Sequence, residues 1–205
     1  YLTLPPGAAE GKPPLILNVH GGPWARDSWG LNNEAQWLAN RGYAVLQVNF
    51  RGSTGYGKKH VNAGDREWGG KMHDDLVDAV GWAVEQGYGD AERVAIFGGS
   101  YGGYAALVGA TFTPDLFACA VDIVGPSSLV TLLQSIPPYW EPVRKLMEAR
   151  VGSPDTERRV QTMAWMRQLG SDTPLPLIQV LEAGEPLVRA NAATMRGIMK
   201  DDRAV

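Results

Sequence analysis

The sequence predicts an α/β protein built on a doubly wound, mostly parallel sheet. Three observations carry that expectation. Short apolar runs alternate along the chain with segments of helical period. Most of those runs are apolar on both faces, as strands covered by helices on each side must be. The 205 residues, 44% apolar and 20% charged, also suffice for one globular domain with a real core.

Taken in order, the strands are "LILNVH" (15–20), "YAVLQVNF" (43–50), "RVAIFG" (93–98), "FACAVDIVG" (117–125) and "PLIQVLE" (176–182). Between the first two lies "NNEAQWLANRG", a helix with a natural stop at Gly42. "HDDLVDAVGWAVEQG" places Leu76, Val77, Val80 and Val84 on one stripe and stops at Gly87. "YGGYAALVGATF" and "AATMRGIMK" are further helices. Residues 126–160 read as a mainly helical insertion, interrupted by Pro137, Pro138 and Pro142. No internal repeat or low-complexity tract divides the chain, so 1–205 is expected to be one domain joined by right-handed crossovers.

Charge and cysteine content narrow the partners. A net charge of −3 gives no reason to expect nucleic acid or an anionic membrane. No stretch reaches the roughly 18 apolar residues of a membrane span. Cys119 is the only cysteine, which rules out an internal disulfide and suits a cytoplasmic location. The opening "YLTLPPG" lacks the basic-then-apolar pattern of a signal peptide, and Tyr1 reads as a cut into a longer chain.

The chemistry centres on "VAIFGGSYGGYAAL" (94–107), a buried strand, a tight bend and a helix start. Ser100 sits at the bend in a G-x-S-x-G frame, flanked by Gly98 and Gly102, whose missing side chains let strand and helix approach. The helix points its free N–H groups and positive end at the serine, which makes the Tyr101 N–H one half of an oxyanion hole. A phosphate loop is the competing reading, but no lysine follows the glycines. The HGG turn of "NVHGGPWARDSWG", also at a strand's carboxyl end, supplies the second donor, the N–H of Gly22. His20 is expected to be structural, its ring bonded to local backbone. "NFRGSTGYGKKH" has the wrong glycine spacing for a dinucleotide loop and is also expected to be structural. In "DREWGGKMHDD", Asp65, Glu67, His73, Asp74 and Asp75 lack metal-ligand spacing, and the last two suit a first helical turn. Neither a metal nor a cofactor is expected.

Residues 20–80 followed by "RVAIFGGSYGGYAAL" resemble the catalytic domain of the prolyl oligopeptidase family of serine peptidases, closest to its acylaminoacyl-peptidase-like and dipeptidyl-peptidase-like branches. The likeness is dense over about residues 12–152, including "YWEPVRKLMEARVGSP". It implies an α/β-hydrolase fold, an acyl-enzyme on Ser100, peptide substrates, either oligopeptides or N-acylated peptides, and a triad in the order serine, acid, histidine. Such enzymes usually also carry an N-terminal β-propeller, which is not expected within these residues. At the turn after "PLIQVLE" the family has Asn-Asp-Pro-Arg-Val, and here Glu185 takes the place of the Asp. Glu185 is therefore the candidate acid, set against an ordinary surface-turn glutamate. The family's base histidine follows one further strand, whereas His20, His60 and His73 all precede Ser100.

The fold is accordingly expected to be incomplete at its C-terminus, as a fragment or as a naturally shortened, non-catalytic relative. A carboxylesterase of the same fold is the other alternative. Leu132, Tyr139 and Trp140 in the insertion are the candidate substrate-binding residues. An unpaired "PLIQVLE" strand would present free backbone groups, so self-association is expected.

Overall fold

A computed structural model describes residues 1–7, 11–136 and 141–151. Five strands and six helices follow in the order β1 (Leu2–Thr3), β2 (Pro14–Val19), α1 (Asn33–Ala39), β3 (Ala44–Gln47), α2 (Lys58–Asn62), α3 (Lys71–Glu85), β4 (Asp90–Gly99), α4 (Tyr101–Phe112), β5 (Cys119–Ile123), α5 (Leu129–Ser135) and α6 (Glu141–Val151). The sheet order is β1-β3-β2-β4-β5. Every pairing is parallel except β1 against β3, an antiparallel edge that the sequence reading lacked. The expected mostly parallel α/β-hydrolase sheet is present. The proposed strand "PLIQVLE", the helix "AATMRGIMK", Tyr139, Trp140 and Glu185 lie outside the described residues.

Alternation along β2 builds two cores from one strand, because successive side chains leave opposite faces. Leu15, Leu17 and Val19 join Met72, Leu76 and Val80 of α3 and Tyr101, Ala105 and Val108 of α4 in the larger core. Ile16 faces the other way and packs with Ala35 and Leu38 of α1 and with Val45. Burying each such aliphatic side chain stabilises the fold by roughly 1.5–3 kcal/mol. Helix α1 starts cleanly because the Asn32 side chain accepts the Ala35 N–H at 2.8 Å.

Helix α4 is apolar all round, and ten of its first eleven residues being hydrophobes or glycine lets it lie directly on the sheet. Its bounds are those expected from the sequence. Helix α3 starts two residues earlier than expected. Its buried stripe takes in Met72, His73 and Ala83, while Val77 and Val84 are only half-buried. Strand β3 is shorter than its apolar run, since Val48, Asn49 and Phe50 turn off the sheet into the loop that leads to Arg51. Among the described residues, no helix is long and apolar enough to cross a membrane.

Candidate active site

Strand β4 delivers its chain into a single residue, Ser100, that is exposed and caps helix α4 with φ 56° and ψ −116°. A side-chain-bearing residue avoids that conformation, at a penalty of about 1–3 kcal/mol, so the surroundings must enforce it. Three features do so. The Ser100 N–H donates to the Ile123 carbonyl of β5 at 2.8 Å, and the Ser100 carbonyl accepts the Tyr104 N–H at 3.0 Å. Gly98 and Gly102 meet backbone to backbone: a Cβ on Gly98 would lie 2.6 Å from the Gly102 carbonyl carbon. A Cβ on Gly102 would overlap the Val19 carbonyl oxygen. The serine is thus pushed out of the sheet on a bend that only this glycine pattern can close.

The first N–H groups of α4, beginning with that of Tyr101, have no intrahelical acceptor and face the serine's side of the helix. The Tyr101 side chain points the other way. Its buried ring packs 5.3 Å from Phe50 and 4.7 Å edge-on to Trp68. Burial first, then the neighbouring Tyr104 and Asp75, pushes its hydroxyl well above the ordinary tyrosine range, so it stays protonated.

The HGG turn lies against this elbow. A Cβ on Gly21 would stand 3.1 Å from the Gly99 carbonyl oxygen and 3.4 Å from the Ser100 Cβ. Gly22, exposed and at φ +122°, could not carry a side chain either, because its Cβ would fall 2.7 Å from the Trp24 nitrogen. Both candidate oxyanion donors therefore sit on turns that converge at Ser100.

The three histidines are engaged elsewhere. His20 places Nδ1 2.8 Å from the Gly21 carbonyl and Nε2 2.9 Å from the Ser53 Oγ, the local bonding expected for it. His60 Nε2 is 3.0 Å from the Phe50 carbonyl. His73 Nε2 is 3.0 Å from the Thr113 Oγ1, just beyond the far end of α4. The twelve residues of α4 put that point about 18 Å from Ser100 along the helix axis. Burial lowers the His73 pKa against the opposing pull of Asp74, which keeps the ring neutral. A substitute base upstream of the serine is not provided.

Leu132 is half-buried and packs against the larger core from α5, which begins six residues after the Ile123 carbonyl that holds Ser100. The "NFRGSTGYG" loop is fastened by Arg51, whose Nε and Nη2 reach the two carboxylate oxygens of Asp75 at 2.8 and 2.6 Å. Burial alone would raise the Asp75 pKa, but the hydrogen bonds and charge of Arg51 outweigh it and hold the carboxyl below the usual range. Asp75 is thus a loop anchor rather than merely a favourable charge in a first helical turn. Among the described residues, no three His, Cys, Asp or Glu side chains gather in a group able to hold a metal ion.

Two contributors were missed from the sequence. Asp122 Oδ1 accepts the Gly125 N–H at 2.7 Å and occupies the space where a Cβ on Gly103 would go, so it buttresses the turn behind the elbow. Burial raises its pKa, against the lowering effect of the Gly125 N–H. Trp24, two residues after Gly22, stacks beneath the Arg150 guanidinium of α6 at 5.4 Å, while Arg150 reaches Asp65 at 3.7 Å. The first could be suspected from an aspartate ending a buried strand. The second joins residues more than 120 positions apart, and no local pattern signals it.

Strand, strained serine and helix in this order on a doubly wound parallel sheet define an α/β-hydrolase. The family follows from comparison with known proteins: the profile of the prolyl oligopeptidase family matches residues 29–179, and the chain belongs to that family. It is 62% identical over 164 residues to dipeptidyl aminopeptidase BIII of Pseudoxanthomonas mexicana, covering 77% of this chain and 24% of that protein. It is 59% identical over 139 residues to dipeptidyl peptidase family member 6 of Caenorhabditis elegans, covering 68% of this chain and 19% of that protein. The chain thus spans about a quarter or less of the length of these relatives. A puromycin-hydrolyzing peptidase of Mycobacterium tuberculosis superposes with TM-score 0.71 at 33% identity, over 83% of this chain and 26% of that one. Acylaminoacyl peptidase of Pyrococcus horikoshii, at 24% identity, shares the fold with TM-score 0.74 over 98% of this chain and 32% of that one.

Proposed function

We propose that this chain carries the nucleophilic half of a serine peptidase that cleaves short peptides through an acyl-enzyme on Ser100. The observation that carries the reading is the exposed serine at φ 56°, on a bend against which the HGG turn packs. In this mechanism Ser100 Oγ attacks the scissile carbonyl as a base removes its proton. The carbonyl oxygen becomes an oxyanion that takes hydrogen bonds from the Gly22 and Tyr101 N–H groups. The tetrahedral adduct expels the amine, which receives the proton, and water then releases the acyl group from the serine. Glu185 is the proposed acid of the triad by its place in the sequence. His20, His60 and His73 are not assigned as its base, because each ring is bonded elsewhere.

Leu132, Tyr139 and Trp140 are proposed as walls of the site for the residue before the scissile bond, favouring a large apolar side chain there. Identity near 60% to two dipeptidyl peptidases supports release of dipeptides from a free N-terminus over removal of acylated residues. The test uses the full-length protein and two peptides of one sequence, one with a free and one with an acetylated N-terminus. Release of a dipeptide from the free peptide alone is expected. Exclusive cleavage of the acetylated peptide would move the reading to acylaminoacyl release, and hydrolysis of esters with neither peptide cut would move it to a carboxylesterase.

A further inference from the structure

We infer, on the serine-peptidase reading above, that Arg150 is a positioning residue: through the Trp24 ring it fixes the spacing of the two oxyanion donors. It acts from helix α6, far along the chain, and does not itself touch substrate. Its guanidinium lies over the Trp24 ring, 5.4 Å from the centroid, and its Nη1 is 3.7 Å from the Asp65 Oδ1. A planar, delocalised cation is suited to such a stack.

The end of α6 is fastened at more than one point. The Arg150 carbonyl accepts the Arg66 N–H, and the Arg66 Nε donates to the Ala149 carbonyl at 3.5 Å. Arg66 takes φ 64°, a left-handed conformation that a residue with a side chain adopts only where its surroundings enforce it. Asp65 Oδ1 is buried without a hydrogen bond, so the charge of Arg150 is what compensates it. The guanidinium is therefore held by its own helix end and by Asp65, and it meets Trp24 as a fixed body.

Trp24 stands between the two donors. On one side it lies two residues past Gly22, on a turn with no slack: a Cβ on Gly22 would meet the Trp24 nitrogen at 2.7 Å. Gly22 has the freest backbone of any residue type, so its N–H is aimed only as well as its neighbours are held. On the other side the Trp24 ring is 6.3 Å from that of buried Trp68, and Trp68 meets Tyr101 edge-on at 4.7 Å. Tyr101 opens helix α4 and carries the second donor N–H. Trp68 and Tyr101 belong to the close-packed core, which transmits a displacement rather than absorbing it. Trp24 is only partly buried against that core, so packing alone does not fix its ring. Arg150 does.

The test uses the full-length protein as wild type, Arg150→Gln, Arg150→Lys, Trp24→Leu and the double variant Trp24→Leu with Arg150→Gln. One readout is the rate at which a small methyl-substituted fluorophosphonate labels Ser100. Such a probe reads the serine and its oxyanion hole, with no substrate side chain to be recognised. The other readout is kcat and KM on a dipeptidyl nitroanilide.

Losing an oxyanion donor outright costs about 100- to 1,000-fold in kcat, so donors left in place but poorly aimed should cost about tenfold. That loss is expected in Arg150→Gln and in Trp24→Leu, in labelling rate and kcat alike, with KM within about threefold of wild type. Arg150→Lys keeps a cation beside the ring and Asp65, and should label within about threefold of wild type. The double variant should be no slower than Trp24→Leu, since Arg150 acts only through that ring. A folded Arg150→Gln that labels at the wild-type rate overturns the inference whatever its KM, because Arg150 would then only dock α6. Losses that multiply in the double variant overturn it too, as do Lys and Gln variants of equal thermal stability that are equally slow. Should Arg150→Gln fail to fold, Trp24→Leu decides alone: a loss of about tenfold in labelling upholds the inference, and labelling at the wild-type rate overturns it. If the wild-type enzyme is not labelled at Ser100 at all, the nucleophile reading fails first and takes this inference with it.

Discussion

Two glycine-rich turns follow β3 and β4, the strands on either side of β2 in the same sheet, and they are closed by different means. In "GGSYGG" (98–103) the glycines are required by contact: strand β4, helix α4 and the end of β2 meet backbone to backbone at Gly98 and Gly102. In "RGSTGYG" (51–57) the glycines mostly supply positive φ, at +101°, +88° and +86°, and side chains from elsewhere hold the turn. Gly57 has no atom within 4 Å of where its Cβ would be. Arg51 ties the second turn to Asp75 of α3, and His60 reaches back to the Phe50 carbonyl. The difference is instructive. A turn that must present a strained serine is built from backbone, which cannot relax, whereas a supporting turn is held by side chains, which can.

Substitutions on the two turns should separate these cases. Gly102→Ala is expected to be the most damaging, because its methyl group would overlap the Val19 carbonyl oxygen and neither backbone can give way. We expect a loss of about 3 kcal/mol or more and no Ser100 reactivity, read by thermal melting and by fluorophosphonate labelling. A variant that melts like wild type would mean that the two elements are not in backbone contact.

Asp75→Ala should cost less, about 2 kcal/mol, since the Arg51–Asp75 pair is roughly a quarter exposed on each side and solvent screens part of its attraction. Its pH dependence has a definite sign. The Asp75 pKa is lower in the folded protein than in the unfolded chain, so the pair stabilises above the unfolded value of about 4. That contribution is lost as pH falls through the folded pKa. Melting temperatures of wild type and Asp75→Asn should therefore differ at pH 7 and converge in acid. A gap that stays constant to low pH would show that the charge on Asp75 is not what fastens the loop.

Gly57→Ala should be the mildest of the three. Its methyl group meets nothing, and only the positive φ is penalised, at about 1 kcal/mol in an exposed turn. Denaturant melts would read this directly. An effect as large as that of Gly102→Ala would erase the distinction between the turns.

Much of this was legible in the sequence, for physical reasons that differ by residue. The frame of β4, Ser100 and α4 was readable because the glycines, the apolar strand and the all-apolar helix are each strong local signals; α4 matches to the residue, while β4 runs Asp90–Gly99 rather than the expected 93–98. The turns after α1 and α3 were readable from Gly42 and Gly87, which take φ +91° and +79°. Strand β1 was not, since two residues beside Pro5 and Pro6 form it only by pairing with β3. Asp75 looked like a helix-start charge because its partner Arg51 is 24 positions away. His20 was placed correctly as bonded to local backbone, but which backbone atom it holds depends on the stacking of Phe50 and the position of Ser53, which only the fold brings together.

The central claim is that this strained serine forms the acyl-enzyme. The most direct measurement is intact-mass and peptide-mapping analysis of the full-length protein after treatment with an alkyl fluorophosphonate, with Ser100→Ala alongside. One adduct per chain, mapped to Ser100 and absent from a normally folded Ser100→Ala protein that has also lost peptidase activity, is the predicted result. Peptidase activity that persists in that variant, or an adduct on another residue accompanied by loss of activity, would contradict it.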